Sequence, residues 1–164
     1  MYQRIMIIGS PGSGKSTLAK RLAQELELPL IHLDKLNWID DKDTVSKEVF
    51  LERLDKVVSG SSWIIDGNYG SSMEVRLKRA ELVIWLKVPR LVCLYRVVKR
   101  YLHSLFQDNS AGNLKRIDWN FIRFIWGFPK SHQKTEELLE QFSTVKVLKV
   151  SNLKDALHFV RENT

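Results

Sequence analysis

Short apolar runs alternate along this chain with longer segments in which apolar residues recur every three or four positions. The short runs predict buried β-strands, and the periodic segments predict amphipathic helices. Strands are predicted at 5–8, 29–33, 63–65, 82–86 and 145–150. Helices are predicted at 17–26, 46–59, 89–105, 116–127, 130–142 and 153–162, with a polar loop at 107–115. Strands and helices in alternation indicate an α/β fold with a parallel sheet.

A glycine-rich segment joins the first predicted strand to the first predicted helix. It fits the phosphate-binding pattern G-x-x-x-x-G-K-[ST], in the strand–loop–helix setting that this pattern requires. Its glycines allow the backbone to curl around an anion, and the helix N-terminus adds a positive dipole end. Lys15 is predicted to reach the β- and γ-phosphates of a nucleotide, and the Ser16 hydroxyl to bind Mg²⁺. The predicted nucleotide-binding residues are Gly9, Ser10, Pro11, Gly12, Ser13, Gly14, Lys15, Ser16 and Thr17.

Two aspartates come directly after predicted strands. Asp34 follows the second strand and Asp66 the third. Ligands of parallel sheets bind beyond the carboxyl ends of the strands, so we expect both side chains near the glycine-rich loop. Asp34 is predicted either to accept a proton from a substrate hydroxyl or to anchor a substrate group. Asp66 has the form of an acid that holds Mg²⁺, usually through water, or that contacts substrate.

The helix after the fourth strand is predicted to carry a basic stripe opposite an apolar one. Arg96 and Arg100 are expected to contact phosphate, because guanidinium forks match phosphate oxygens. Weaker candidates further along are Lys115, Arg116 and Arg123. The whole segment 96–130 is expected to form a helical lid, whose aromatic part at 119–128 packs on the core or, alternatively, stacks on bases. The basic stripe is formed by Arg96, Lys99, Arg100 and His103, and the apolar stripe by Leu91, Leu94, Val98 and Leu102.

Composition narrows the classes of protein that remain. A chain of 164 residues is expected to form a single domain over 1–164, and its net charge of +7 favours an anionic partner, either nucleotide or nucleic acid. The lone Cys93 is expected to be a buried structural thiol, and His32 and His158 are expected to be structural as well. With no long apolar run and no room for a signal peptide before the first strand, a cytoplasmic protein without membrane contact is expected.

The order of these motifs resembles that of the adenylate kinase and shikimate kinase group. The glycine-rich loop, Asp34, Asp66-Gly67 and the pair Arg96 and Arg100 follow one another as they do there. The resemblance implies a three-layer P-loop NTPase fold with a five-stranded parallel sheet in the order 2-3-1-4-5.

A narrower resemblance links the chain to the bacterial DNA topology modulation protein family, a set of adenylate kinase-like ATP-binding proteins. It rests on the loop at 9–16, on His32-Leu33-Asp34 and on the segments 63–69 and 91–96. The family's name does not establish DNA binding. Adenylate kinases follow Asp-Gly with an arginine that grips the acceptor phosphate, whereas this chain has Asn68-Tyr69-Gly70, and Arg76 is only a possible substitute. AMP therefore does not follow as the acceptor.

The predicted function is that of an ATP- and Mg²⁺-dependent kinase that phosphorylates an unidentified small molecule, of the nucleoside or nucleotide type. The alternative is a nucleic-acid-associated regulator that uses ATP binding as a switch, although neither a helix-turn-helix nor a zinc module is recognisable. A GTPase is the third possibility. The residues Asn152-Leu153-Lys154-Asp155 after the last strand depart from the Asn-Lys-x-Asp expected for guanine.

Overall fold

A five-stranded parallel sheet forms the centre of the fold. The structure is a computed structural model that describes residues 1–39, 43–106, 127 and 130–163. The sheet order is β2-β3-β1-β4-β5, so β1, which leads into the glycine-rich loop, lies in the middle. This is the order that the resemblance implied. The strands are β1 (Arg4–Gly9), β2 (Leu30–His32), β3 (Trp63–Asp66), β4 (Leu82–Leu86) and β5 (Lys146–Val150).

Helices connect successive strands. Two of them begin at residues whose side chains cap the helix, because the Ser46 hydroxyl accepts from the Val49 N–H and the Asn152 amide oxygen accepts from the Asp155 N–H. A short 3₁₀ turn, Gly70–Ser72, precedes the fourth helix. The helices are α1 (Lys15–Leu26), α2 (Leu33–Asn37), α3 (Lys47–Val58), α4 (Met73–Leu77), α5 (Arg90–Phe106), α6 (Lys130–Gln141) and α7 (Leu153–Glu162).

The side chains of β1 alternate between two apolar layers, one on each face of the sheet. Met6 and Ile8 join a cluster on one face of the sheet, which is covered by α3, α4 and α6. Ile5 and Ile7 join a cluster on the other face, which is covered by α1 and α7. Because successive strand residues point to opposite faces, an all-apolar strand such as β1 is buried on both sides. The predicted three-layer α/β fold is confirmed.

The structure differs from the sequence prediction at two elements beside the site. β2 ends at His32, and Asp34 lies in the first turn of the short helix α2 rather than at a strand end. The predicted apolar stripe of α5 is wrong in its rotation, because Leu91 is 69% exposed and Leu102 is 49% exposed. Cys93 and Val97 are buried in their place, since this side of α5 packs against the glycine-rich loop.

The predicted loop at 107–115 and all but residue 127 of the predicted helix at 116–127 lie outside the described residues. The same holds for the aromatic segment and for Lys115, Arg116 and Arg123. Within the described ranges, no helix has the length and apolar character needed to cross a membrane.

Candidate active site

The glycine-rich loop curls between the end of β1 and the start of α1. The Ser13 N–H donates to the Ser10 carbonyl at 3.0 Å, which closes the turn. Gly12 has φ +80°, and a side chain there would collide with the carbonyl of Cys93 on α5. Gly14 caps α1 at φ +99°. Only glycine combines this backbone conformation with so close an approach, which is why the loop can present its N–H groups to an anion at the helix N-terminus.

A cleft of about 1210 Å³ opens above this loop at the carboxyl ends of the strands. It brings together the predicted residues of α1, α2, β3 and α5 that the structure describes. Ser10 and Ser13 are buried within the loop, and their backbone carbonyls accept hydrogen bonds from Lys15 and Arg96. The predicted residues that line the cleft are Gly9, Pro11, Gly12, Gly14, Lys15, Ser16, Thr17, Asp34, Asp66, Arg96 and Arg100.

The Lys15 ammonium lies within the loop rather than in the apolar core. Its Nζ donates to the Ser10 carbonyl oxygen at 3.1 Å. Burial lowers the pKa of Lys15, and the nearby carboxylates of Asp66 and Asp34 partly oppose that shift. A desolvated ammonium with few fixed partners interacts strongly with an incoming phosphate.

Asp66 is the polar centre of the site. Its Oδ2 accepts a hydrogen bond from Ser16 Oγ at 2.6 Å and lies 3.0 Å from His32 Nδ1. The side chain is only 6% exposed, and its other oxygen, Oδ1, is buried with no hydrogen-bond partner. Mg²⁺ takes oxygen ligands and is usually held by one or two protein groups together with phosphate oxygens and water. An unpartnered carboxylate oxygen beside a serine hydroxyl fits such an ion.

His32, which was expected to be structural, contacts a predicted site residue. Its Nδ1 lies 3.0 Å from Asp66 Oδ2, although His32 itself does not line the cleft. The register of the sheet explains the contact, because β2 and β3 pair in parallel with His32 opposite Asp66. His158, which was also expected to be structural, lies at the surface. Its side chain is 74% exposed on α7, where it pairs with Glu162.

The segment after β3 binds both the glycine-rich loop and Asp34. The Asn68 side chain makes two hydrogen bonds with the backbone of Gly9, accepting from its N–H at 3.0 Å and donating to its carbonyl. The Tyr69 hydroxyl donates to Asp34 Oδ1 at 2.9 Å. The Tyr69 ring stacks on Phe50 with ring centres 5.2 Å apart. This segment therefore connects the phosphate-binding loop to the predicted acceptor carboxylate.

Arg76 does not face the cleft. It is fully buried, and its guanidinium donates to the backbone carbonyls of Ser72, Gly67 and Tyr69 at 3.3, 3.0 and 2.7 Å. Burial lowers the pKa of Arg76 to about 10, so the group is still protonated at neutral pH. The idea that Arg76 replaces a phosphate-gripping arginine is thus wrong. It fixes the loop backbone instead.

Two further walls of the cleft come from α5 and α6. Arg96 Nη1 donates to the Ser13 carbonyl at 3.2 Å, which places this guanidinium beside the loop. The α6 wall and its apolar neighbours were not predicted from sequence. A helical spacing of i, i+1 and i+4 in a polar segment gives only a weak signal. These additional lining residues are Met73, Trp85, Lys134, Thr135 and Leu138.

Comparisons with known proteins agree with this geometry. A family model described as "ATPase family associated with various cellular activities (AAA)" matches residues 5–80, which is less than half of the chain. Adenylate kinase 2 of Synechocystis sp. is 24% identical, with 91% of each chain covered. A shikimate kinase of Clostridium botulinum (strain Loch Maree) is 29% identical, over 73% of this chain and 76% of the relative.

Solved structures point to the same fold. A shikimate kinase from Bacteroides thetaiotaomicron superposes with a TM-score of 0.62 at 15% identity, over 99% of this chain and 98% of that one. A shikimate kinase from Acinetobacter baumannii in complex with shikimate gives a TM-score of 0.58 at 16% identity, over 99% and 94%. An adenylate kinase-like P-loop fold is confirmed. The predicted enzyme class, a phosphotransferase, is confirmed by relatives that are kinases.

Proposed function

We propose that this protein is an ATP- and Mg²⁺-dependent kinase that transfers the γ-phosphoryl group to a small molecule of the nucleoside or nucleotide type. The observation that carries the proposal is the meeting, in one cleft, of Lys15, the hydrogen-bonded pair of Ser16 and Asp66, and Asp34. The first three suit the phosphates and metal of a nucleotide. The fourth suits the acceptor.

Each group has a role that its position supports. The loop backbone and Lys15 hold the phosphates, and Ser16 with Asp66 would hold Mg²⁺, which neutralises phosphate charge when bound. Arg96 and Arg100 contact the phosphoryl oxygens as negative charge redistributes among them during transfer. Asp34 either accepts the proton of an acceptor hydroxyl or anchors the acceptor, and both roles place the acceptor between Asp34 and the loop.

The acceptor itself is unidentified. The relatives are named for adenylate and for shikimate, which differ widely in chemistry. We propose that the chain belongs to the DNA topology modulation protein family, because of its motifs at 32–34 and 63–69. Regulation of nucleic acid by an ATP switch is the less favoured alternative.

The first test is the Lys15→Ala variant, whose ATP affinity is measured by calorimetry. Lys15 contacts the nucleotide loop and not the core, so the variant should fold and lose about ten- to a hundredfold in ATP affinity, the range for a charged hydrogen bond. Lys20→Ala is the matched control, because Lys20 is an exposed lysine on the same helix. Equal ATP affinity for the Lys15→Ala variant and the wild type would contradict the assignment.

Wild-type protein with Mg²⁺–ATP is then screened against nucleosides, nucleotides and small metabolites for acceptor-dependent ADP formation.

A further inference from the structure

Asp34 is exposed, and it lies in the same cleft as the phosphate-binding loop. A carboxylate placed to take a proton from an acceptor hydroxyl can equally take one from water. Transfer of the phosphoryl group to water would waste ATP, and kinase sites are built to exclude that reaction. The arrangement around Asp34 therefore needs a feature that limits its use by water.

The Tyr69 phenol is such a feature, because it donates to Asp34 Oδ1 at 2.9 Å. Burial, and after it the Asp34 carboxylate, raises the pKa of Tyr69 well above its usual value. The phenol consequently keeps its proton, and remains a donor, throughout the pH range in which an enzyme works. One oxygen of Asp34 is thus already engaged by the protein.

Tyr69 is fixed at both its ends. Its ring stacks on Phe50, which is only 3% exposed. Its carbonyl accepts from Arg76 at 2.7 Å and from the Ser72 hydroxyl at 3.2 Å. A fully buried arginine whose three guanidinium nitrogens each donate to the backbone of one short loop holds that loop in a single conformation. The phenol is therefore held on Asp34 by the fold and does not merely rest there.

We propose that Tyr69 is a positioning residue that withholds one of the two oxygens of Asp34 from water and so limits the use of this carboxylate as a base when no acceptor is bound. The inference rests on the proposed function. In the side reaction that Tyr69 suppresses, a water oxygen bonds to the γ-phosphorus, and the bond from that phosphorus to the β–γ bridging oxygen breaks. The water proton passes to Asp34, and ADP leaves.

The test is the rate of phosphate release from Mg²⁺–ATP without any acceptor. Tyr69→Phe keeps the ring and its stacking but removes the donor, so acceptor-free release should rise about three- to tenfold, the factor that corresponds to one hydrogen bond. The rise should vanish in the double variant Tyr69→Phe/Asp34→Asn, because it depends on the Asp34 carboxylate. A gain of hydrolysis is a result that general damage to the site would not produce.

Tyr2→Phe is the matched control. Tyr2 also stacks on a phenylalanine, Phe159, at 6.5 Å, but it lies against the opposite apolar layer and does not line the cleft. Its phosphate release should equal that of the wild type.

Three outcomes would overturn the inference. If the Tyr69→Phe variant binds ATP as the wild type does but releases phosphate no faster, Tyr69 does not have the proposed role. The proposed kinase function would be unaffected by that result. A rise that persists in the double variant would show that the added hydrolysis does not pass through Asp34. Wild-type protein that fails to bind ATP in calorimetry would overturn the inference and the proposed function together.

Discussion

Two buried charged side chains, Asp66 and Arg76, do most to shape the site. Burying a charge is costly unless hydrogen bonds compensate it. Each guanidinium nitrogen of Arg76 is compensated by protein, since each donates to a backbone carbonyl. Asp66 is compensated on one oxygen only, which leaves Oδ1 without a protein partner. The contrast distinguishes a structural charge from one that suits a metal ion.

The structural role of Arg76 predicts the effect of replacing it by lysine. Arg76→Lys keeps the positive charge but loses the planar fork, so at least one buried carbonyl loses its partner. We expect the free energy of unfolding to fall by about 1–3 kcal/mol, measured by denaturant titration. Arg79→Lys, at an exposed arginine three residues on, is the control and should change stability little. An equal loss of stability in the two variants would contradict the role of Arg76 in fixing the backbone of the loop after β3.

At the residue scale, the sequence predicted the groups of the contiguous motif and the aspartates that follow strands, and it missed contacts that neither signal encodes. Lys15 and Ser16 are readable because their spacing is local. His32 and Tyr69 reach the site through the register of β2 on β3 and through the loop held by Arg76, and no local pattern encodes either contact. Arg76 was misjudged for the same reason, since sequence does not tell a buried arginine from an exposed one.

Among the elements, strands were predicted better than helix faces. Runs such as β1 and β4 are almost entirely apolar, and such runs predict strands that are buried on both faces of the sheet. α5 has apolar residues on more than one side, and its rotation is decided by the close packing of Gly12 on Cys93. Sequence periodicity could not supply that contact. Leu91 and Tyr95 remain exposed as a result, at 69% and 64%.

Helix α6 is tied to the sheet by one carboxylate between two lysines. Glu136 accepts from Lys87, just after β4, at 2.7 Å and from Lys149 on β5 at 3.0 Å. Lys87 Nζ also lies 4.4 Å from the centre of the Trp85 ring, which borders the cleft. The hydrogen bonds from the two lysines lower the pKa of Glu136 to about 2. This ionic contact thus helps to hold the α6 wall of the site.

The lowered pKa of Glu136 predicts a pH-dependent contribution to stability. A carboxyl whose folded pKa lies below its unfolded value of 4.5 stabilises the fold above that pH, and the effect is lost as pH falls towards 2. Glu136→Gln should therefore lower the melting temperature most above about pH 4.5, and the gap to wild type should close in acid. Salt should narrow it too, because the side chains are partly exposed. Glu140→Gln, on an exposed glutamate of the same helix, is the control. A gap that is constant from pH 7 to pH 2 would refute the assignment.

On the scale of the whole molecule, the strand order assembles the site from distant parts of the chain. β1 lies between β3 and β4, so the loop after β1 and Asp66 at the end of β3 become neighbours. The general rule for parallel sheets predicts this edge as the site, and the resemblance supplied the order. Neither identifies the acceptor, since the cleft is also lined by side chains from α4 and α6 whose positions the sequence does not reveal.

The net charge of +7 leaves two classes of anionic partner to separate by experiment. A nucleotide held by the loop should protect a particular part of the fold. Gly12 packs on Cys93, and Arg96 binds the Ser13 carbonyl, so order induced in the loop should pass to α5. We expect a non-hydrolysable ATP analogue with Mg²⁺ to slow amide hydrogen exchange at 9–18 and 90–100, but not at 156–162, which lies beyond the contact of the Leu153 side chain with Gly14. Arg100→Ala should reduce the protection at 90–100, whereas Lys99→Ala, at an exposed lysine beside it, should not.

Nucleic-acid binding would be recognised by the salt dependence of the affinity for DNA. A surface that neutralises phosphates releases counterions, so its affinity for DNA falls steeply as salt rises, with or without ATP. The kinase proposal predicts that, at physiological salt, ATP-induced protection of α5 is retained while DNA binding, followed by fluorescence anisotropy of a labelled duplex, is weak. A duplex bound at low micromolar strength with steep salt dependence, together with unchanged exchange at 90–100 on adding the ATP analogue, would instead favour the regulator. The positive charge would then serve a nucleic-acid surface, and the cleft would serve as its switch.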